Sequence, residues 1–289
     1  MNWSFLVSQI YAAATVLLWS TAYVFTKVSL QYFSAGALGL LRCFVASLCL
    51  LSIVGWKKLE FPKARDILWF ILSGATGFSF YLITFNIGSS LLSPTTSCII
   101  ISSSPIITSL MAIAVFKERL GILRWIATGT AFCGILTMTL WEGTFSVSKG
   151  IFWMLAAAFL ISAYNVMQRW LARRFSPLQI TAYSFASGTI LLLGSLSEAL
   201  AQVTAAPFSQ ILLVCFLGIF PSAAAYIFWG KALAAAPKTS SVTNYMFLTP
   251  FLALMLEYCI LGVFPGIATF VGGGMILAGL LLFTMAGER

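Results

Sequence analysis

The sequence predicts an all-α integral membrane protein in which ten transmembrane helices form two inverted five-helix repeats. Hydrophobic residues make up 61% of the 289 residues and charged residues only 8%, whereas soluble domains have about 25% charged residues. The mean hydropathy is +1.01. A soluble domain of this length would still leave about a quarter of its chain surface in water, so we expect lipid to surround most of the chain.

Ten apolar segments, separated by short connections rich in Gly, Pro, Ser and charge, have about the 20 residues that cross a bilayer. They lie near residues 8–28, 34–54, 67–87, 93–115, 122–141, 150–170, 178–199, 208–230, 239–261 and 264–285. No connection is long enough for a further domain, so the predicted domains are residues 1–145 and 146–289. The first segment lacks a basic n-region and a cleavage site, and we interpret it as a retained helix.

The distribution of basic residues predicts cytoplasmic termini in an inner or plasma membrane. With the N-terminus inside, thirteen of the 16 Lys and Arg residues lie on the cytoplasmic side. They are Lys57, Lys58, Lys63, Arg65, Lys117, Arg119, Arg124, Arg169, Arg173, Arg174, Lys231, Lys238 and Arg289. Only Lys27 and Lys149 fall outside, as the positive-inside rule requires. The basic residues form no single stripe, so no nucleic-acid partner is expected.

Internal similarity indicates a repeat. Residues 97–138 align without a gap on residues 242–283 at an offset of 145, and the alignment pairs Pro105 with Pro250 as well as three glycines with glycines. Proline and glycine restrict or free the backbone. The matches therefore fall on residues that determine local conformation.

A second register, at an offset of 142, relates predicted helix 1 to predicted helix 6. It aligns Trp19–Lys27 with Ile161–Arg169 and sets Ser20 on Ser162. Because each half holds five helices, an odd number, the second half must enter the membrane in the opposite direction. Inverted repeats of this kind are typical of secondary transporters, whose substrate site lies near the midplane between the halves.

The paired prolines interrupt predicted helices 4 and 9. An interior proline removes a backbone donor and leaves the carbonyl four residues earlier without its helical partner, here that of Ile101 or Met246. We predict that Pro105 and Pro250 are hinges and that both helices line a cavity. The alternative is that the prolines only kink the helices for packing, while nearby serines bond back to their own helix.

The segments "LLWSTAYVFTK", "LGLLRCF" and "SSSPIITSLMAIAVFKERLG", repeated across two five-helix halves, resemble the EamA-type drug/metabolite transporters. The resemblance covers essentially the whole chain. It implies ten helices, two inverted repeats and export of small metabolites, often amino acids or related compounds. The second half departs from the family pattern because Val263 stands opposite Glu118. We interpret Glu118 as a cytoplasmic-end residue that pairs with a neighbouring basic group.

Polar and aromatic side chains at cavity positions are the candidate substrate-binding residues, since small-molecule sites are mostly apolar with a few polar anchors. They are Trp19, Tyr23, Arg42, Tyr81, Asn86, Ser103, Ser104, Tyr164, Asn165, Trp229, Asn244 and Tyr245. For any single aromatic residue, packing or contact with lipid is the alternative.

Three ionisable residues fall within predicted spans, and such residues are costly in a bilayer. Glu198 and Glu257 lie close to predicted outer ends, so we expect both to contact water and no carboxylate to be well buried. Arg42 lies eight residues after Ser34, about 12 Å along a helix, and needs a partner. The candidates are carbonyls freed by the prolines and the carboxylate of a substrate, and the alternative role is a structural clamp.

Several function classes lack the residues they need. There is no histidine, and the six cysteines lie in apolar runs without CxxC spacing, so we expect no metal site, disulfide framework or cofactor. No catalytic set is apparent, and an enzyme is not expected. A channel is disfavoured because the repeat lies within one chain, which we expect to be a monomer.

The sequence therefore predicts a secondary transporter that exports small metabolites, most simply amino acids or related zwitterionic or neutral compounds. The alternative is an efflux carrier for multiple drugs or cationic compounds. It is disfavoured because predicted helices 1 and 6 contain no carboxylate to hold a cation. The expected lack of a buried carboxylate also favours facilitated export over proton exchange.

Overall fold

The computed structural model describes residues 3–116, 121–141, 149–235, 242 and 244–286, which are largely helical. In these ranges seven helices are long and apolar enough to cross a membrane, or eight if the bent pair Pro177–Leu191 and Leu193–Ala205 is one span. Two shorter apolar helices cover Ile122–Met138 and Tyr245–Leu261. The prediction of an all-α membrane protein is confirmed at this level, and the number of ten spans stays a prediction.

The first half contains seven helical segments and a π-helical turn. They are α1 (Trp3–Ser29), α2 (Ala35–Trp56), α3 (Ala64–Gly74), the π-helical turn Ala75–Ser79, α4 (Phe80–Leu91), α5 (Pro94–Ile101), α6 (Ser104–Phe116) and α7 (Ile122–Leu140). Because α3, the π-helical turn and α4 follow one another directly, they form one long rod.

The second half has a similar order of segments. They are α8 (Lys149–Leu171), α9 (Pro177–Leu191), the 3-10 turn Leu193–Ser195, α10 (Leu196–Ala205), α11 (Phe208–Leu217), the π-helical turn Gly218–Ala224, α12 (Ala225–Ala235), the 3-10 turn Asn244–Leu248, α13 (Thr249–Leu261) and α14 (Ile267–Met285). A π-helical turn thus interrupts α11–α12 as one interrupts α3–α4.

Polar caps fix the starts of the second helix in each half. Ser34 accepts a hydrogen bond from the Ala37 backbone N–H at 3.2 Å, at the beginning of α2. Ser176 and Gln179 form a capping box before α9, with Pro177 at its first position. These side chains satisfy backbone donors that a helix start leaves without partners, and proline is tolerated there because its missing N–H would have had no helical acceptor.

The two predicted hinge prolines stand at the beginning of helices. The chain leaves helical geometry after Ile101 and resumes it at Ser104, so Pro105 lies in the first turn of α6. Pro250 likewise lies in the first turn of α13. The carbonyl of Ser103 accepts from the Ile106 N–H at 3.0 Å. Proline removes no helical hydrogen bond in a first turn. The helices therefore begin at these prolines and do not continue through a kink, and the hinge role stays a prediction.

Close helix contacts occur at glycines. A Cβ atom on Gly134 of α7 would lie 2.4 Å from the carbonyl oxygen of Gly272 in α14. A Cβ atom on Gly88 of α4 would lie 2.9 Å from Cε of Met154 in α8. Small residues allow membrane helices to approach closely. The other extensive packing pairs are α1 with α12 and α2 with α9.

The structure corrects one expectation about charge. Glu257 is only 1% exposed, and its Oε2 accepts a hydrogen bond from the Thr95 backbone N–H at 2.8 Å, at the start of α5. The expectation that no carboxylate is well buried is therefore wrong, because the N-terminus of a neighbouring helix supplies a partner that favours negative charge. Glu198 is exposed, and Glu118 lies outside the described residues.

Candidate functional site

A cavity of about 910 Å³ lies between helices of both halves. Its wall includes residues of α1, α2, α4, α6, α8, α9 and α12. Seven of the predicted substrate-binding residues and one predicted hinge lie in this wall: Trp19, Tyr23, Arg42, Tyr81, Ser104, Asn165, Trp229 and Pro105. The fold thus brings these distant residues together. Their role in binding stays a prediction.

Two predicted polar residues lie away from the cavity wall, with local structural contacts. Asn86 is fully buried, and its Nδ2 donates to the carbonyl oxygen of Ala35 at 2.8 Å, which joins α4 to the start of α2. Ser103 Oγ donates to the Ile100 carbonyl oxygen at 2.7 Å. The Ser103 hydroxyl is thus used on the backbone, as is Nδ2 of Asn86, whereas Oδ1 of Asn86 is buried with no hydrogen-bond partner among the described residues.

Two predicted tyrosines also lie outside the wall. Tyr164 is 1% exposed, and its ring packs edge-on against Phe78 with 5.1 Å between centroids. Tyr245 packs beside a small cluster that includes Ala12. Packing against apolar neighbours, with Tyr164 buried and Tyr245 half-buried, explains these two positions. The predicted hinge Pro250 is buried outside the wall, although its neighbour Thr249 is part of it.

The backbone of Asn244 begins the 3-10 turn before α13. Its side chain is outside the described part of the structure. Its predicted contact with substrate therefore stays a prediction.

The apolar part of the wall is an aromatic cluster. Trp19 of α1 lies 5.2 Å from Trp229 and 5.7 Å from Tyr226 of α12, between ring centroids. On the other side, Tyr81 and Phe85 of α4 lie 5.6 Å apart. Phe85 was absent from the predicted set, although its spacing of four residues from Tyr81 puts both on one helix face. Aromatic rings at these distances form a rigid apolar surface.

Arg42 is a buried charged residue of the cavity wall. It is only 9% exposed, and its Nε donates to Ser222 Oγ at 2.7 Å. Nη1 is buried with no protein partner. None of the described residues that form the wall is an aspartate or glutamate. A buried guanidinium whose partner is a neutral hydroxyl is a strong site for an anion, because an unpaired buried charge is costly.

The two proline breaks have matching contacts across the molecule. Ser162 Oγ of α8 lies 2.9 Å from the Ser104 carbonyl oxygen and 2.7 Å from the Ala158 carbonyl oxygen. Ser20 Oγ of α1 lies 3.2 Å from the Thr249 carbonyl oxygen. Each carbonyl at a break belongs to the residue before a proline, and each hydroxyl belongs to a helix of the other half. A serine hydroxyl of one half thus contacts the backbone at the proline break of the other half.

The cavity extends to the end of the molecule at which α8 ends. Gln168, Arg169 and Ala172 at the end of α8 belong to its wall. At the opposite end, polar contacts join the helices. Lys27 Nζ donates to the carbonyl oxygens of Ser90 at 2.8 Å and Leu92 at 2.9 Å.

The helical architecture and the buried, mixed aromatic and polar cavity define a multi-pass membrane protein with an internal site of small-molecule size. One family model, that of the EamA-like transporter family, matches the chain twice, at residues 6–140 and 148–285. The chain belongs to the EamA-like transporter family. It is a transporter and not an enzyme, as the sequence predicts.

Relatives of this chain are also transporters. It is 29% identical over 268 residues to a probable terminal-alkyne amino-acid exporter of Streptantibioticus cattleyicolor. The alignment covers 93% of this chain and 90% of that protein. It is 27% identical over 245 residues to the uncharacterized transporter YdfC of Bacillus subtilis, covering 83% and 79%. A crystal structure with 19% identity has a TM-score of 0.63 and covers 98% of both chains. This last likeness shows the fold alone.

Proposed function

We propose that this protein exports amino acids or related zwitterionic or neutral metabolites through a cell membrane, as a secondary transporter with alternating access. The observation on which the proposal depends is the guanidinium of Arg42, buried in a cavity of about 910 Å³ with Nη1 unpartnered. A substrate carboxylate would complete its hydrogen bonds, and the aromatic cluster would pack against the rest of the substrate. The printed name of one relative, an amino-acid exporter, favours the same class.

We further propose ten spans in two inverted repeats. The double match of the family model at residues 6–140 and 148–285 supports this. The matching contacts of Ser20 and Ser162 across the proline breaks support it too, as do two π-helical turns at corresponding places in the halves. Tyr81 and Tyr226, both in the cavity wall, are 145 residues apart, which is the offset of the two proline helices.

In this arrangement both termini are cytoplasmic, because that orientation puts most of the basic connections inside. The end of α8, toward which the cavity extends, then lies on the cytoplasmic side. Lys27 and the start of α5 lie on the outer side, where the polar contacts join the helices. We therefore propose that the structure corresponds to an inward-facing state, from which an exporter would take up its substrate.

The alternative, an efflux carrier for multiple drugs or cations, is disfavoured by the charge of the site. Arg42 repels a cation, and no carboxylate of the described residues lies in the wall to offset that repulsion. Aromatic rings such as Trp19 and Trp229 can hold an ammonium group through cation–π contact. In a zwitterion that group would accompany a carboxylate on Arg42.

Counterflow in proteoliposomes tests the proposal. The panel contains L-leucine, L-phenylalanine and L-propargylglycine, each beside its primary amide, together with tetraphenylphosphonium as a lipophilic cation. We expect exchange of at least one amino acid, with no exchange of its amide or of the cation. Exchange of the cation alone would contradict the proposal, and so would unitary ion currents in planar bilayers.

A further inference from the structure

We propose that Ser222 is a positioning residue that orients the guanidinium of Arg42 and thereby sets the preference of the site for a single substrate carboxylate. The inference rests on the proposed function, because it assumes that Arg42 binds the substrate. Ser222 was not among the residues predicted from the sequence. It lies 180 positions from Arg42 along the chain, and no local spacing relates the two.

The hydrogen bonds of Ser222 define its role. Its Oγ donates to the Leu217 carbonyl oxygen at 2.8 Å and accepts from Arg42 Nε at 2.7 Å. A hydroxyl has one hydrogen, so the bond to Leu217 leaves the oxygen available only as an acceptor. Ser222 is 1% exposed. Water therefore has little room to replace the hydroxyl as the partner of Nε.

The bond at Nε determines which edge of the guanidinium remains available. The group is planar and has a fixed fork of donors. With Nε bonded to Ser222, the edge formed by Nη1 and Nη2 is left, and Nη1 has no protein partner. A carboxylate can accept two parallel hydrogen bonds from this edge. Without Ser222, the guanidinium can rotate and present other edges to the cavity.

The π-helical turn Gly218–Ala224 explains how Ser222 comes to face α2. Pro221 lies inside this turn and has no backbone N–H to donate, and the Ser222 hydroxyl reaches the carbonyl five residues earlier. A Cβ atom on Gly218 would lie 2.6 Å from Cβ of Val45. The absence of a side chain at Gly218 thus lets α2 approach the turn closely enough for the bond to form.

The second half contains a neutral counterpart. The residue 142 positions after Arg42 is Ser184 in α9, and its hydroxyl lies 2.7 Å from that of Ser73 in α3. In both cases a residue of the second helix of one half contacts the helical segment of the opposite half that contains a π-helical turn. Of these two residues, Arg42 and Ser184, only Arg42 is charged. One oriented guanidinium suits one carboxylate, which favours monocarboxylic substrates over dicarboxylic ones.

The test compares Ser222→Ala, Ser222→Thr and Arg42→Lys in counterflow with the three amino acids and their amides. Ser184→Ala, which removes a buried hydroxyl in the equivalent helix of the other half, is the matched control. We expect Ser222→Ala to raise the half-saturation concentration for the amino acid about tenfold, the size of effect expected for a hydrogen bond to a charged group. The maximal rate should change little, and the amide should still not be exchanged. Ser222→Thr should restore the half-saturation concentration, and Ser184→Ala should leave it unchanged.

The outcomes separate the two proposals. If Arg42→Lys abolishes the preference for amino acid over amide while folded Ser222→Ala retains it, the positioning role is wrong and the proposed function stands. If Arg42→Lys retains the preference, the proposed function itself fails. Where Ser222→Ala does not give a monodisperse protein in size-exclusion chromatography, Ser222→Cys replaces it, because a thiol keeps the volume but accepts weakly. An unchanged half-saturation concentration in Ser222→Cys would then overturn the inference.

Discussion

Arg42 shows what a single residue in a sequence can and cannot reveal. Its depth along a predicted helix, about 12 Å from the helix start, already indicates that it needs a partner. The identity of that partner depends on a π-helical turn in the other half, which a hydrophobicity pattern does not encode. The sequence therefore predicts the requirement, and only the fold identifies Ser222.

Glu257 gives a prediction about stability. Its Oε2 accepts the Thr95 N–H at 2.8 Å in a buried setting, so Glu257→Ala leaves a buried backbone donor unpartnered. We expect a loss of about 1–3 kcal/mol in the free energy of unfolding. Glu257→Gln keeps an acceptor oxygen and should lose less. Thermal unfolding of the purified protein in detergent measures both.

Glu198→Ala is the control for Glu257, because this carboxylate is exposed and exposed substitutions usually change stability by no more than about 0.5 kcal/mol. Equal effects of Glu257→Ala and Glu198→Ala would contradict the assignment of a buried hydrogen bond. The sequence favoured facilitated export over proton exchange because no carboxylate was expected to be well buried. The burial of Glu257 removes that argument.

Among the elements, the two proline-containing segments were paired with each other from the sequence. The offset of 145 residues identified Pro105 and Pro250 as equivalent, and both begin a helix after an interruption. The nature of the interruption was not predictable, because a proline in a long apolar run is compatible with a kink, a break or a new start. The backbone of the fold decides between these. The contacts of Ser162 and Ser20 at the breaks join helices that are far apart in sequence.

These breaks lead to a prediction about hinging. Pro105→Ala and Pro250→Ala each restore a backbone N–H, which lets the helix extend backward over the interruption and stiffens it. We expect normal insertion and abundance but exchange slowed several-fold in counterflow. Ala201→Val, on the exposed side of α10, is the control and should leave exchange unchanged. Exchange at the unaltered rate in both proline variants would reduce the prolines to packing features.

Contact between α7 and α14 gives a second prediction at this scale. A Cβ atom on Gly134 would lie 2.4 Å from the Gly272 carbonyl oxygen, while one on Gly129 of the same helix would meet nothing within 4 Å. Gly134→Ala must separate the two backbones, and overpacking of this kind costs about 1–3 kcal/mol. Gly129→Ala should be neutral or slightly stabilising, since alanine has the higher helix propensity.

Thermal unfolding of the two glycine variants side by side measures the difference. Each adds the same methyl group to the same helix, so lipid or detergent effects are matched. A midpoint for Gly134→Ala equal to that of Gly129→Ala would mean that α7 and α14 do not approach as closely as described.

At the scale of the whole molecule, the cavity and the polar contacts at the end near Lys27 bear on which conformational state the structure represents. The composition predicted a membrane protein, and the family model supports that class. Which end is open could not be read from the chain, because an inverted repeat is compatible with either state. The described contacts of Lys27 with Ser90 and Leu92, together with the cavity wall at Ala172, favour the inward-facing state.

In the proposed alternating-access cycle the contacts of Lys27 must break, and this gives the last prediction. Methionine in Lys27→Met has a side chain of similar length but cannot donate the two hydrogen bonds to the carbonyls of Ser90 and Leu92. The closed outer end should therefore open more often.

In a background with the native cysteines replaced, Ala22→Cys reports on the cavity wall. We expect a membrane-impermeant maleimide added outside to label it several-fold faster with Lys27→Met than without. Lys57→Met, at an exposed position after α2, should leave labelling unchanged. Equal labelling rates with and without the Lys27→Met substitution would show that the Lys27 contacts do not hold the outer end closed.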